Sequence, residues 1–156
     1  MTADSMAALI HRYFDGCNRA DIPLMTSCFI PDAVHYFPPG MYGGPFVGAQ
    51  MIAERWVSAV ERFSSIWTVD QIIADAATGR AVIEWTHFKT ALGEVLRGDE
   101  WYVFDHATGL IREIRAYYAS PQDSSLRVLE LEGFAYADRG YPIGAPHIQG
   151  RDMGAL

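Results

Sequence analysis

The stretch NRADIPLMTSCFIPDAV, residues 18–34, sets the reading of the whole chain. Before it, Met6, Leu9, Ile10, Tyr13, Phe14 and Cys17 recur at the three- and four-residue spacing of one helical face. Asn18-Arg19 ends that helix. Asp21 with Pro23 has the chemistry of a second, short helix start: an acceptor for unpaired amides and a ring that presets φ. The run from Asp32 to Phe37 then reads as a strand, cut off by Pro38-Pro39-Gly40.

Downstream lies a Gly-rich loop, MYGGPFVG (41–48), whose glycines have the hinge chemistry of a mobile lid. An amphipathic helix follows over 49–63, with Ile52, Trp56, Ala59, Val60 and Phe63 on its inner side. From Ser65 onward the pattern becomes strands, at 66–74, 80–90, 95–105 and 110–119, separated by the turn sequences DAATG, LGE and DHATG. Helices first and antiparallel strands after predict a segregated α+β domain over 1–120. Past Pro121 a short helix is expected around 126–132, then a Gly- and Pro-rich tail. The extension 121–156 is too aromatic for a solvated linker. It is expected to pack on its own domain or a dimer partner, with Tyr136 and Tyr141 capping a pocket mouth.

Composition narrows the function. The chain has 156 residues, of which 50% are apolar and 20% charged, the balance of one globular domain with a sizeable core. A net charge of −7 with no basic run argues against nucleic acid as a partner. No apolar stretch reaches the length of a membrane span, and no signal peptide opens the sequence. Cys17 and Cys28 are too few for a disulfide framework and are expected as reduced, buried thiols in a cytoplasmic protein. The histidines at 11, 35, 87, 106 and 147 form no HExxH pair and there is no CxxC, so neither metal nor cofactor is expected.

Tyr13 in the first helix, Asn18 with Asp21 at its end, Pro31-Asp32-Ala33 and Gly109-Leu110-Ile111 resemble the nuclear transport factor 2-like superfamily, near its SnoaL-like proteins and ketosteroid isomerases. The resemblance covers roughly residues 4–120. It implies a cone-shaped, cystatin-like fold, in which a curved, mostly antiparallel sheet wraps around helices and encloses a pocket. It specifies no reaction, because this scaffold hosts many chemistries and non-catalytic binders as well. It implies that Tyr13 matches the first-helix Tyr of ketosteroid isomerases, and that Glu100 matches the acid beside it. The general-base position of those enzymes is Phe37 here, and the Asp that cyclases and epoxide hydrolases carry on the last strand is Ala116. The Asp and His of the dehydratases fall on Asn18 and Trp67. No subfamily's full set is present.

The hairpin EWTHFKTALGEVLRGDEWY, residues 84–102, carries the strongest constellation. A two-residue turn at Leu92-Gly93 or at Gly93-Glu94 puts Trp85 and His87 on the face of Gly98, Glu100 and Tyr102. Registered on the family fold, the resemblance implies that this face points inward and that His35, Phe37, Ala116 and Tyr118 share it. Glu84, Thr86, Asp99, Arg115 and Tyr117 are left outside, on a face suited to a homodimer. A carboxylate bonded to one imidazole nitrogen would orient His87 as the proton-moving group, with Tyr13 or His35 bonding the oxygen where charge develops. The same pair could instead clamp a ligand, or merely satisfy each other in a core. Phe37, Trp56, Trp67, Trp85, Tyr102 and Tyr118 are candidate walls for a flat apolar or aromatic ligand, although core packing explains each nearly as well. The expected function is therefore a cofactor-independent isomerase, lyase or hydrolase acting on an apolar, oxygen-bearing molecule. A non-catalytic binding protein for an aromatic or lipid-like molecule is the alternative.

Overall fold

The computed structural model describes residues 1–37, 42–118, 128–129, 136–138 and 140–150. Helix α1 (Ala3–Arg19) starts at Thr2, whose hydroxyl accepts from the Ser5 amide while the Ser5 hydroxyl accepts from the Thr2 amide. Two amides that the first turn leaves unpaired are thereby satisfied. The sharp reversal into α2 (Ile22–Thr26) follows from two local features. Asp21 accepts from the Leu24 amide at 2.9 Å. A Cβ on Gly16 would lie 2.8 Å from Met25 Cγ, so only glycine lets the two helices approach this closely.

The remaining elements are β1 (Phe29–Tyr36), β2 (Phe46–Val47), α3 (Ala49–Phe63), β3 (Ser65–Asp75), β4 (Arg80–Lys89), β5 (Glu94–Phe104), β6 (Ile111–Tyr117) and β7 (Val128–Leu129). They form one sheet in the order β2-β1-β6-β5-β4-β3, with β7 beside the first half of β5. The β1–β6 and β5–β7 pairs are parallel and the others antiparallel. Register shifts at Val69/Gln71, Val103/Phe104 and Phe29/Val34 bend the ladder. Ile10 and Phe14 of α1 and Ile52 of α3 pack in one core with Ile83, Phe104 and Ile114 of the sheet. Ile10 and Ile52 are both 0% exposed, each burial worth about 2 kcal/mol. This is the expected α+β architecture.

Three expectations change. The β4–β5 turn is a four-residue loop, Thr90–Gly93, with Lys89 opposite Glu94, rather than a two-residue turn. That moves the register by an even number of residues, so the faces of both strands stay as expected. Strand β2 lies inside the Gly-rich loop, where two residues are too few to show a period; Met41 of that loop is outside the described residues. At 126–132 the sequence predicts a helix, but Val128 and Leu129 pair with Val95 and Leu96 as a strand. The other residues of that expected helix lie outside the described ones.

One polar contact ties α1 to the sheet. The Asn18 amide donates to the Trp67 carbonyl at 2.8 Å, and its oxygen accepts from the Trp67 amide at 2.7 Å. The side chain thus supplies both ladder bonds of a strand residue. Asn18→Ala leaves a half-buried amide and carbonyl without these partners, and should destabilise the chain by about 2 kcal/mol in urea unfolding. Unchanged stability would show that the contact only accompanies the packing.

Candidate functional site

Strand parity brings the site together. Trp85 pairs with Gly98, His87 with Leu96 and Ile83 with Glu100, so one face of the β4–β5 ladder carries an indole, an imidazole and a carboxylate. With α1, α3, Phe37 and Tyr118 this face surrounds a cavity lined by Tyr13, Cys17, Phe37, Tyr42, Trp56, Trp67, Trp85, His87, Lys89, Glu100 and Tyr118, among others. The space open to the centres of water molecules is about 50 Å³. Its walls are therefore close, on the scale of a one-ring ligand. A larger, open hollow of about 590 Å³ lies against Tyr36, Glu113, Arg115 and Tyr117, but its walls hold no buried carboxylate or imidazole.

Glu100 is the acidic group of the cavity and is only 7% exposed. Its Oε2 accepts from the Tyr102 hydroxyl at 2.6 Å. His35 Nε2 lies 3.4 Å from its Oε1, at an angle that makes no hydrogen bond. Neither neighbour lines the cavity: Tyr102 and His35 are both 0% exposed and flank the carboxylate from behind. His35 is stacked on Phe37, with ring centres 4.1 Å apart. Tyr102 is thus a support for Glu100 rather than a ligand wall, and His35 sits one layer behind the surface where it was expected to act.

The expected His87–Glu100 pair is not made. His87 sits opposite Leu96 and Glu100 opposite Ile83, four ladder steps or roughly 13 Å along the strands. His87 Nε2 instead bonds the Ser65 hydroxyl at 2.8 Å, and its ring stacks on Trp67 at 4.5 Å. Burial, aided by the neighbouring Lys89 cation, pushes its pKa down from 6.5 to about 3, so the imidazole is neutral at ordinary pH. Sequence carries parity, but it does not carry which strand lies next to which ring.

Tyr13 lines the cavity from α1, and its hydroxyl accepts from Trp56 Nε1 at 2.5 Å. Burial raises its pKa well above 10, reinforced by Cys17 and the Glu100 charge, which keeps it a proton donor. Phe37, Trp56, Trp67, Trp85 and Tyr118 line the same space. Asn18 and Trp67 do meet, but through the Trp67 main chain.

Five lining residues have no counterpart among the sequence-based candidates: Phe14, Cys17, Leu96, Tyr42 and Lys89. Tyr42, from the Gly-rich loop, lines the cavity and shares a hydrogen bond with Tyr118. Both hydroxyls have pKa values raised chiefly by burial. Lys89 lines it too, its ammonium 3.3 Å from Glu94. Only an aromatic residue inside a glycine loop signals Tyr42, and nothing in the sequence signals Lys89.

Tyr136 and Tyr141 do not line this cavity. Arg97 stacks over Tyr136 at 4.0 Å and donates to the Pro142 carbonyl at 3.0 Å, and the Tyr141 hydroxyl bonds Glu84. Arg97 and Glu84 belong to the face of β4 and β5 turned away from the cavity.

A family model described as a SnoaL-like domain matches residues 10–114. Among solved structures, a protein of unknown function with a cystatin-like fold from Methylobium petroleophilum PM1 is 55% identical. It covers 95% of this chain and 97% of its own, with a TM-score of 0.76. A nuclear transport factor 2-like protein of unknown function from Mesorhizobium loti is 18% identical over 76% of this chain and 93% of its own, TM-score 0.62. A structure named as a proposed polyketide cyclase from Sinorhizobium meliloti is 20% identical over 72% and 98%, TM-score 0.59. The last two likenesses bear on the fold alone. No curated protein matches. With two thirds of its length under that family model and a relative at 55% identity, the chain belongs to the SnoaL-like domain family, within the nuclear transport factor 2-like superfamily.

Proposed function

We propose that this chain is a cofactor-independent enzyme that moves a proton on a small, largely apolar, oxygen-bearing molecule, with Glu100 as the acid–base group. One observation carries the reading: a carboxylate 7% exposed faces an aromatic-walled cavity and is fixed from behind by the Tyr102 hydroxyl at 2.6 Å. Burying a carboxylate is costly, and one hydrogen bond offsets that cost only in part. Its placement favours work on a bound molecule over stability.

In this mechanism Glu100 takes a proton from the substrate and returns it at another atom, or delivers it to a leaving oxygen. Tyr13 keeps its proton and donates to the oxygen where negative charge develops, a ligand oxygen competing for it with the weaker acceptor Cys17. Isomerase, lyase and hydrolase outcomes all use these parts. His87 is too weak a base for the proton-moving role that the sequence suggests for it. It serves as a neutral hydrogen-bonding wall. A homodimer packed through the outer face is part of the same proposal, supported by Trp101 at 41% and Tyr117 at 55% exposure on that face.

Deuterium uptake from D2O into the α-carbon of small aromatic ketones tests the chemistry with generic carbon acids, whatever the natural substrate. The wild type should catalyse exchange, and Glu100→Gln, which keeps the shape and removes the titrating oxygen, should slow it at least about a hundredfold. Exchange undiminished in that variant would sink the assignment to Glu100. Binding without exchange in the wild type would favour the alternative, a protein that holds its ligand unchanged.

His87 supplies a second check. Unfolded, its ring takes a proton near 6.5; folded, only near 3. Between those values the unfolded chain binds more protons, so acidification through that window removes stability. His87→Gln should flatten that part of the stability–pH curve, and the His87 ring signals should stay in the neutral form down to about pH 4. A ring titrating near 6 would return His87 to contention as the base.

A further inference from the structure

The polar groups of the cavity wall include one that no described residue uses. Trp85 is 6% exposed and lines the cavity, and its indole Nε1 is buried with no hydrogen-bond partner among the described residues. The indole of Trp56, in the same wall, is by contrast bonded to Tyr13. A buried N–H without an acceptor costs a good part of the desolvation of that group, so such donors are rare unless water or a ligand completes them.

The surroundings hold the indole where it is. Trp85 pairs with Gly98 across the ladder, and a Cβ at 98 would lie 2.6 Å from Trp85 Cζ2 and 2.8 Å from Tyr118 Cβ. The glycine therefore lets the ring lie against the strand, and Tyr118 meets its other side edge-on at 5.6 Å. Glu100 is the diagonal neighbour of Trp85 on the same face, so the indole ring and the proposed acid–base group line one cavity.

We propose that Trp85 Nε1–H is the specificity-determining donor of this cavity, and that it selects ligands presenting an uncharged acceptor oxygen, a carbonyl above all, on an aromatic ring. The donor needs an acceptor. The adjacent Glu100 carboxylate, in the same wall, disfavours an anionic one. The rings of Trp67, Phe37 and Tyr118 supply the apolar part of the site. The inference rests on the cavity being the ligand site, and is independent of whether Glu100 moves a proton there.

The probes are acetophenone and ethylbenzene, similar in shape and differing in the carbonyl oxygen. Their dissociation constants are measured on the wild type and on Trp85→Phe. The ethylbenzene-to-acetophenone ratio of dissociation constants should fall roughly threefold to tenfold in Trp85→Phe, the worth of one neutral hydrogen bond. Glu100→Gln sets a new amide donor beside the same oxygen, so the two readings separate on the wild type: selectivity without deuterium exchange keeps this inference and sinks the acid–base one. In the intact protein the Trp85 indole N–H resonance, assigned through bonds, should move with acetophenone and stay with ethylbenzene, a readout that does not depend on the variant folding. A ratio unchanged by Trp85→Phe, or an indole resonance that ignores acetophenone up to its solubility limit, overturns the proposal. Gly98→Ala, which forces the indole off the strand, should lower acetophenone affinity at least as much as Trp85→Phe; undiminished affinity would count against it.

Discussion

The pairing of Trp85 with Gly98 governs the inner half of this molecule. An indole laid across a position with no side chain fixes the β4–β5 register, because a shift of two residues would drive the ring into Leu96 or Glu100. A shift of one would turn the whole inner face outward. That register sets Glu100 opposite Ile83 and beside Ala116 of β6, whose small side chain leaves room for the carboxylate and for His35 beyond it. The position that carries an acid in other families of this scaffold is thus a methyl group here, and the acid enters from the neighbouring strand.

Glu100 has an unusual set of neighbours for a buried carboxylate. No arginine or lysine pairs with it among the described residues. Its contacts are a phenol that donates and an imidazole that approaches without bonding. Burial raises the pKa values of Tyr102 and Tyr13 first, and the Glu100 charge adds to both, so each holds its proton firmly. A group that strengthens its neighbours as donors, and is not neutralised by a cation, keeps its own charge available to a third party. In a cavity this narrow, that party has to be a bound molecule or water.

Much of this is legible in the sequence, and the reason is period. The α1 face, the α3 boundaries and the alternation through 84–102 are repeats of 3.6 and 2, which survive any error of two residues in a turn. Inward-facing residues can therefore be read correctly even where the turn is not. What period does not carry is distance along a ladder. His87 and Glu100 share a face, and only the register separates them by four steps while bringing His35, more than sixty positions away in sequence, beside Glu100. Strand β7 and Tyr42 are invisible in the sequence for a related reason: two residues of strand, or one side chain on a loop, have no period at all.

The size of the cavity constrains how it can work. Space for the centres of a few waters suits a single ring held edge to edge by Trp67, Phe37 and Tyr118, and excludes a long or branched ligand while those rings stay as they are. Tyr42 of the Gly-rich loop and Tyr118, just past β6, share a hydrogen bond in the cavity wall. Gly43 at φ 74° and Gly44 at φ 137° follow Tyr42 directly, in backbone conformations that other residues rarely adopt. Tyr42 is 45% exposed and packs on Phe37 at 4.6 Å and Phe46 at 5.1 Å, whereas Glu100, Tyr102 and His35 are buried in the core. On the proposed reading, the group that moves the proton and its supports belong to the core, while the outermost aromatic wall comes from a loop at the surface.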